Sequence, residues 1–297
     1  MFIKKVYDHL TSMKWTIGFV ENPLGDIIEG KELSISWMQH NYKDRWFADP
    51  FVLDVTKDFI YLLVEEFYLP INRAHIAKLT IDKSTKKLLK TDPILKLNTH
   101  LSYPAIIRRD NHIYIYPESG QSGKLKLYEF FPESNEVQEK ICLIDGDVGD
   151  ATYTNLFGED LIFCTIPPKY NEDELHVFRK MENGKYQDSE TIYFKDNVGR
   201  MAGDFFSYKN RIFRPAQDCN IFYGNGIVIQ EIKRENDKWL FDEKVRYFSP
   251  NKYYPLGFHT LNMYSDTIVV DALGFQHYHI GTFLNNINHC IKHLLHK

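Results

Sequence analysis

An all-β fold is the class that this sequence predicts, and three observations lead to it. Aromatic residues make up 15% of the 297 positions, and 19 Tyr and 21 Phe are typical of β-structure. Helical periodicity is nearly absent before the C-terminus. Apolar strand-like segments separated by polar turns recur along the chain about every 50 residues.

Five hairpin-like segments carry this repeat. Each has an apolar strand, a polar turn and a second β-rich strand. The segments begin 49 to 56 residues apart, at Asp49, Tyr103, Thr152, Gly203 and His259. Further strand-like runs between them, such as AHIAKLTID and GIVIQEIK, give about four strands per repeat. Four strands in roughly 50 residues is the size of a propeller blade, so the sequence predicts a five-bladed β-propeller.

The ends of the chain complete the predicted architecture. We expect a propeller over residues 1–281, with WTIGFV (15–20) as the outer strand of the last blade, closing the ring. An amphipathic helix is predicted over 282–297, where apolar residues at helical spacing are Leu284, Ile287, Ile291, Leu294 and Leu295. Its remaining positions are largely His and Lys, so it would pack on the propeller, contact a partner protein or touch an anionic membrane surface.

Composition excludes several classes of function. The net charge of −4 gives no reason to expect a nucleic-acid partner. No apolar run is long enough for a transmembrane helix, and the basic N-terminus lacks the apolar stretch of a secretory signal. The 4 cysteines are scattered without metal-binding spacing, which indicates free thiols and a cytoplasmic protein.

The repeat predicts a polar site at one end of the central channel. In a blade, the first strand lines the channel and the second returns beside it, so their outer ends meet on one rim. An acid before proline, as in WFADPF, suits the start of a strand, which places Asp49 on this rim. The predicted rim pairs are Asp49 with Glu65 or Glu66, Tyr103 with Glu118, Asp204 with Asp218, and His259 with Asp271, with Asp150 joining from the third blade.

These motifs resemble those of a known protein family. The five-bladed pattern with an Asp-Pro in the first blade resembles the glycoside hydrolase family 43 and invertase superfamily. More narrowly, WFADPF, HLSYP, YPES, RPAQD and GFHTLN look like the N-terminal propeller module of glucosamine inositolphosphorylceramide transferases, over roughly residues 15–275. Similar modules occur in bacterial surface-polysaccharide proteins.

The resemblance implies a carboxylate mechanism. Hydrolases of that superfamily use a base on blade one, an Asp that tunes a pKa, and a general acid Glu farther round. Asp49 matches the base and Asp150 the tuning Asp. The fourth blade reads GRMAGDFF, which offers Asp204 and no Glu. Glu118 is a substitute acid, although it lies on a different blade.

The remaining candidates are binding residues. Arg200 and Arg214 would recognise a carboxylate or phosphate, or else pair with Asp204 or Asp218. Trp46 and Tyr103 offer aromatic faces to a sugar ring. Polar and titratable side chains that could contact a sugar are Gln217, Asp218, His100, His259 and Asp271. No cofactor is expected, although the acids could hold Ca²⁺ through their oxygens.

The leading hypothesis is an enzyme of glycan or surface-polysaccharide assembly or processing, either a glycosyl transferase or a hydrolase-like protein. The first alternative is a non-catalytic sugar-binding module that serves a partner enzyme. The second is a propeller used as a protein-interaction platform, with its acids paired to Arg200 and Arg214. A carbohydrate or glycosyl donor or acceptor is the expected partner, and peripheral membrane contact would occur through the C-terminal helix.

Overall fold

The computed structural model describes residue 7 and residues 10–295, and it is a five-bladed β-propeller with a C-terminal helix. Each blade is a four-stranded antiparallel sheet. The predicted fold class is therefore confirmed. The first four blades follow one another along the chain, and the fifth combines strands from both ends of it.

The strands of the first four blades are these. Blade one contains β3 (Arg45–Val55), β4 (Phe59–Tyr68), β5 (Arg73–Asp82) and β6 (Leu88–Leu95). Blade two contains β7 (Ser102–Arg109), β8 (His112–Glu118), β9 (Leu125–Phe131) and β10 (Glu136–Ile144). Blade three contains β11 (Gly149–Thr154), β12 (Leu161–Thr165), β13 (Glu174–Lys180) and β14 (Tyr186–Tyr193). Blade four contains β15 (Phe206–Tyr208), β16 (Arg211–Asp218), β17 (Gly226–Glu235) and β18 (Lys238–Tyr247).

The fifth blade joins the two ends of the chain. Its strands are β19 (Leu261–Tyr264), β20 (Thr267–Phe275), β1 (Met13–Val20) and β2 (Ile35–Trp37), in that order across the sheet. The segment 15–20 therefore lies in the third strand of this blade, and β2 is the outer strand. A short helix α1 (Leu24–Ile28) connects β1 with β2.

Burial follows the position of each strand in its blade. The second strand of blade three, LIFCT, is buried along its whole length because neighbouring blades cover both of its faces. The outer strand of the same blade, YQDSETIY, is mostly exposed or half-buried. Apolar inner strands and polar outer strands therefore account for the periodic pattern in the sequence.

Helix α2 (Tyr278–Leu295) follows β20 directly and begins four residues before the predicted boundary at 282. Of the apolar side chains predicted for it, Leu284 and Ile287 are described, and those of Ile291, Leu294 and Leu295 lie outside the described residues. Within the described part of the chain, α2 and the other helices lack the length and apolar character needed to cross a bilayer.

Three inner strands share an unusual backbone at the same end of the channel. Asp49, Tyr103 and Asp150 have φ values of 49°, 44° and 46°, in the left-handed region that non-glycine residues rarely adopt. A break in the strand register accompanies each of them. Asp49 thus lies at a bulge inside β3 and not at the start of the strand, as Asp-Pro had suggested.

Candidate functional site

The channel end that carries these three residues opens into a cavity of about 250 Å³, which we call the mouth. A second cavity of about 310 Å³ adjoins it and shares His100, Ser102, Glu118 and Arg200. The residues that line the mouth are Trp15, Trp46, Asp49, Glu65, His100, Ser102, Glu118, Asp150, Arg200, Tyr223 and His259. Seven of these were predicted as site residues from the sequence.

Acidic side chains at the mouth join neighbouring blades through backbone amides. Asp271 Oδ2 accepts the N–H of Asp49 at 2.9 Å, and Asp49 Oδ2 accepts the N–H of Tyr103 at 2.9 Å. Glu118 Oε2 accepts the N–H of Asp150 at 2.8 Å. The left-handed backbone directs each of these N–H groups away from the hydrogen bonds between the strands of its own blade. The hydrogen bonds therefore offset a conformational cost of about 1 kcal/mol per residue.

One half of the mouth is built around Asp49 and His259. The His259 Nδ1 atom lies 2.8 Å from Asp271 Oδ1, and its Nε2 atom lies 3.6 Å from Asp49 Oδ1. The hydroxyl of Thr260 donates to Asp49 Oδ1 at 3.0 Å. The indole of Trp15 stacks on the imidazole with ring centroids 3.9 Å apart. This packing fixes the imidazole between two carboxylates.

Burial and charge shift the pKa values of this pair. Burial raises the pKa of Asp49 well above its usual range, against the lowering effect of His259. Burial alone would lower the pKa of His259, but the charges of Asp271 and Asp49 and the hydrogen bond to Asp271 raise it to about 9. His259 is therefore a cation at neutral pH.

The other half of the mouth is built around Asp150 and Arg200. The Arg200 Nε and Nη2 atoms lie 2.6 and 3.2 Å from the two Asp150 oxygens, and Gln217 Nε2 donates to Asp150 Oδ2 at 2.6 Å. The Arg200 Nη2 atom also lies 3.3 Å from Glu118 Oε2. The Tyr223 ring covers the guanidinium with its centroid 5.0 Å away. A permanent cation thus balances Asp150.

Glu118 contacts the Asp150 half and lines both cavities. Burial raises its pKa to about 8, although Arg200 acts to lower it. Its side chain retains 20% exposure and lines both cavities. At neutral pH this carboxyl group is therefore protonated and able to donate a proton into the mouth.

The third side of the mouth is formed by blade one. His100 Nε2 lies 3.0 Å from Glu65 Oε1. Burial would lower the pKa of His100, but the hydrogen bond to Glu65 and the nearby negative charges raise it. Trp46 lies flat on Phe67, with ring centroids 4.5 Å apart. This stack presents a rigid indole at the cavity wall.

Arg214, predicted as a binding residue, lies in the interior. It is completely buried, and its Nη2 atom donates to the carbonyl groups of Val198, Gly199 and Arg200. Its Nη1 atom donates to Gln230 Oε1 at 2.8 Å. Arg214 therefore fixes the backbone from which Arg200 reaches the mouth, and it lines neither mouth cavity.

Asp204 and Asp218 also lie away from the mouth cavity. In blade four the pairing is interrupted between Met201 and Phe206, and Asp204 lies within this interruption. Burial raises the pKa of Asp204 to about 7, and Arg108 is the nearby cation that opposes this. Asp218 is the last residue of β16 and accepts a hydrogen bond from Arg246 at 2.9 Å. Strand geometry thus separates both acids from the other candidates.

The sequence reasoning missed Trp15, Ser102, Thr260 and Tyr223 and did not decide between Glu65 and Glu66. Strand alternation decides it, since Glu66 points away from the mouth and binds Arg45 and His75. The position of Trp15 could have been predicted from the sequence. Once β1 closes the ring beside β20, the first residues of β1 must lie at the mouth. Tyr223 lies in a loop, for which the sequence carries no periodic signal.

Asp49, His259 and Asp271 are close enough together to be considered as metal ligands. The four carboxylate oxygens already accept hydrogen bonds from Tyr103, Thr260, His259 and the Asp49 amide. The imidazole is cationic at neutral pH, and Ca²⁺ requires six to eight oxygen ligands. The three side chains therefore suit a protonated imidazole held between two carboxyl groups better than they suit a calcium ion.

The family described as "Glucosamine inositolphosphorylceramide transferase 1, N-terminal" matches residues 33–247. The chain belongs to this family. Glucosamine inositolphosphorylceramide transferase 1 of Arabidopsis thaliana is 28% identical over 210 residues, covering 67% of this chain and 27% of that protein. The protein of the same name from Oryza sativa subsp. indica is 26% identical over 143 residues, 46% of this chain and 19% of that protein. The chain thus spans about a quarter or less of these relatives.

Solved structures of distant sequence share the fold of this chain. A thermostable family-43 glycoside hydrolase matches with a TM-score of 0.54 at 12% identity, over 81% of this chain and 96% of that one. A family-43 β-xylosidase/α-arabinofuranosidase from a compost microbial metagenome matches with a TM-score of 0.55 at 8% identity, over 80% and 92%. At these identities the likeness establishes the shared propeller fold.

Proposed function

We propose that the mouth binds a glycosyl group and that the protein acts on glycosidic linkages during glycan assembly or processing. The observation that carries this proposal is that two buried carboxyl groups, Glu118 and Asp49, line one cavity beside different cations. Glu118, beside Arg200, has a pKa of about 8, and burial also raises the pKa of Asp49, whose cationic neighbour is the titratable His259. Two carboxyl groups that can exchange protons are the minimum for acid–base chemistry at a glycosidic oxygen.

The lining of the mouth suits a sugar. Trp15, Trp46 and Tyr223 supply aromatic surfaces, and the acids, histidines and Ser102 supply hydrogen-bonding groups between them. The names of the transferase relatives include glucosamine, and an amino sugar would complement a mouth that is rich in carboxylates. The name of these relatives therefore supports the proposal from a second direction.

The roles follow from position and pKa. Glu118, which is protonated at neutral pH, would donate its proton to the oxygen of the leaving group. Asp49 would accept the proton of the attacking hydroxyl or water, and its raised pKa makes its carboxylate a stronger base than an exposed aspartate. Arg200 pairs with Asp150 through two of its nitrogen atoms and so balances the charge of this part of the site.

A non-catalytic sugar-binding module is the second candidate, and one observation favours it. Both Asp49 oxygens already accept hydrogen bonds, from the Tyr103 amide and the Thr260 hydroxyl. In that case Asp49 joins blades one, two and five, and the mouth delivers a sugar to a partner enzyme. The protein-interaction alternative expects acids paired to both arginines. Arg200 meets this expectation through Asp150 and Glu118, but Arg214 has no acidic partner among the described residues.

Binding and chemistry are tested separately. Saturation-transfer NMR with glucosamine, N-acetylglucosamine, glucuronic acid and mannose should detect at least one ligand, and Trp46→Ala should weaken it about tenfold. Tyr193→Ala is the matched control, since this tyrosine is 68% exposed on the outer strand of blade three. Saturation transfer from none of the sugars would remove the proposal.

Turnover is then measured with aryl glycosides and glycosyl acceptors. Asp49→Asn and Glu118→Gln should each lower it by on the order of 10² to 10⁴ while sugar binding persists. The activity of the unsubstituted protein should fall as the pH rises through about 8, where Glu118 loses its proton. Sugar binding without turnover under all of these conditions would favour the binding module.

A further inference from the structure

Large apolar side chains are exposed around the mouth on the side of blades four and five. Ile221 is 78% exposed and Phe283 is 63% exposed, which is unusual for side chains of this size. We call the set the apolar rim, and its members are Ile221, Phe222, Phe248, Tyr253, Ile280, Phe283 and Ile287.

Topology places the whole rim on the mouth side of the propeller. The loop after β16 contains Ile221 and Phe222, and the next residue, Tyr223, lines the mouth. Strand β18 runs back to the same side, so the loop that follows it brings Phe248 and Tyr253 there. Strand β20 passes the mouth at Asp271 and continues to Phe275, after which α2 begins.

Direct contacts make these segments continuous. The amide of Phe258 donates to the carbonyl group of Gly224 at 2.8 Å, which joins the two loops of blade four. The rings of Tyr253 and Tyr278 lie 4.8 Å apart, which joins the second loop to the start of α2. Gly281 packs so closely on Phe275 that a Cβ atom there would lie 2.6 Å from the ring. The helix is therefore held on this face by its first turn.

Helix α2 turns an apolar stripe to the outside. Ile280, Phe283 and Ile287 are spaced three and four residues apart, so they lie on one helix face, and each is at least 40% exposed. A surface helix of a globular protein normally buries such a stripe. This stripe extends the apolar surface of the two loops.

The charge around the rim indicates what covers it. No Asp or Glu follows Asp271 in the sequence, whereas His and Lys recur to the last residue. Lys252 lies beside Tyr253, with its ammonium group 5.1 Å from the ring centroid. Tyrosine and lysine beside exposed Phe and Ile are typical of surfaces that enter a membrane interface.

We propose that the apolar rim docks on an anionic lipid surface, with the mouth facing the headgroups. The apolar side chains enter the interfacial region, and the cationic residues between them contact negative headgroups. A glycan carried on a lipid would then reach the mouth without leaving the membrane. The docking does not depend on the proposed sugar site, because the rim side chains lie outside the residues that line it.

Co-sedimentation with vesicles tests the proposal on the full chain. We expect binding to phosphatidylcholine vesicles that contain phosphatidylserine, with weaker binding to pure phosphatidylcholine and in high salt. Phe222→Ser combined with Phe283→Ser should lower the partition coefficient about tenfold or more. Phe131→Ser combined with Met181→Ser is the matched control, because these residues are 40% and 46% exposed at turns on the opposite face.

A second measurement locates the contact. The single variant Phe222→Trp should be quenched by brominated lipids in the acyl chains, and Leu156→Trp, on the opposite face, should not. Equal vesicle binding by rim and control variants, or quenching at Leu156→Trp alone, would overturn the proposal. So would a rim variant that abolishes a dimer or a protein complex in light scattering and leaves vesicle binding unchanged.

Discussion

The two halves of the mouth use the same backbone device with different counter-charges. Asp49 and Asp150 both have a left-handed backbone, and an acid from the preceding blade accepts the amide of each. Asp150 is balanced by Arg200, which is charged at every accessible pH. Asp49 is balanced by His259, whose charge disappears above about pH 9. The comparison separates a half with fixed charge from a half that can exchange protons.

This difference assigns the halves to different tasks. A permanent ion pair in a buried site holds geometry and cannot take part in proton transfer. A carboxylate beside an imidazolium, with a protonated Glu118 across the cavity, can change its protonation during a reaction. We therefore expect the Asp150 half to determine stability and the Asp49 half to determine the dependence on pH.

The largest expected effect tests the fixed half. Arg200→Met leaves Asp150 buried with only Gln217 as a neutral partner, so the variant should lose roughly 3–5 kcal/mol of unfolding free energy. Urea denaturation measures this loss. Lys126→Met is the control, because Lys126 and its partner Glu139 are exposed and such pairs contribute about 0–1 kcal/mol. Equal losses in the two variants would mean that Arg200 is not the counter-charge on which the fold depends.

A smaller effect is expected when pH is varied in the unsubstituted protein. His259 has a folded pKa raised from 6.5 to about 9, so the stability that it contributes is complete below pH 6.5 and is lost as the pH rises through 9. The raised pKa of Glu118, about 8, acts in the same direction between 4.5 and 8. The melting temperature should therefore fall from pH 5 to pH 9.

Substitution identifies the groups that cause this slope. His259→Gln should reduce the dependence of the melting temperature on pH between pH 6.5 and 9. Glu118→Gln should reduce it between pH 4.5 and 8. A melting temperature that rises toward pH 9 would contradict the assignment of His259 as a buried cation.

Much of the fold could be predicted from the sequence because each blade repeats the same hairpin. The inner strands need apolar residues on both faces, and polar turns punctuate them, so five periods identify five blades. The prediction was less accurate for strand order in the last blade. Pairing between β1 and β20 depends on contacts about 250 residues apart along the chain, and no local pattern encodes which strand lies outermost.

The site was harder to predict because one residue of displacement changes the face on which a side chain lies. Asp49, Tyr103 and Asp150 occupy equivalent positions, but in blade four the corresponding stretch between Met201 and Phe206 is irregular. A Cβ atom at Gly203 would lie 2.0 Å from the Leu261 carbonyl oxygen, so no side chain fits immediately before Asp204. Arg214 lies on the buried face of β16, and the sequence had placed its side chain at the mouth. Composition and spacing cannot resolve a register that tertiary contacts determine.

The smallest expected effect on stability tests the proton-exchanging half. Asp49→Asn should cost about 1 kcal/mol or less of unfolding free energy, because its amide oxygen still accepts the Tyr103 N–H and the Thr260 hydroxyl can rotate to accept from the new amide. The same substitution at Asp150 should cost more, since it removes the main counter-charge of a buried arginine. Asp49→Asn should also lower the pKa of His259, to which the Asp49 charge contributes, and NMR titration of the imidazole measures that change. Equal stability losses at the two positions, with an unchanged His259 pKa, would show that the halves are equivalent and that Asp49 is only a structural link between blades.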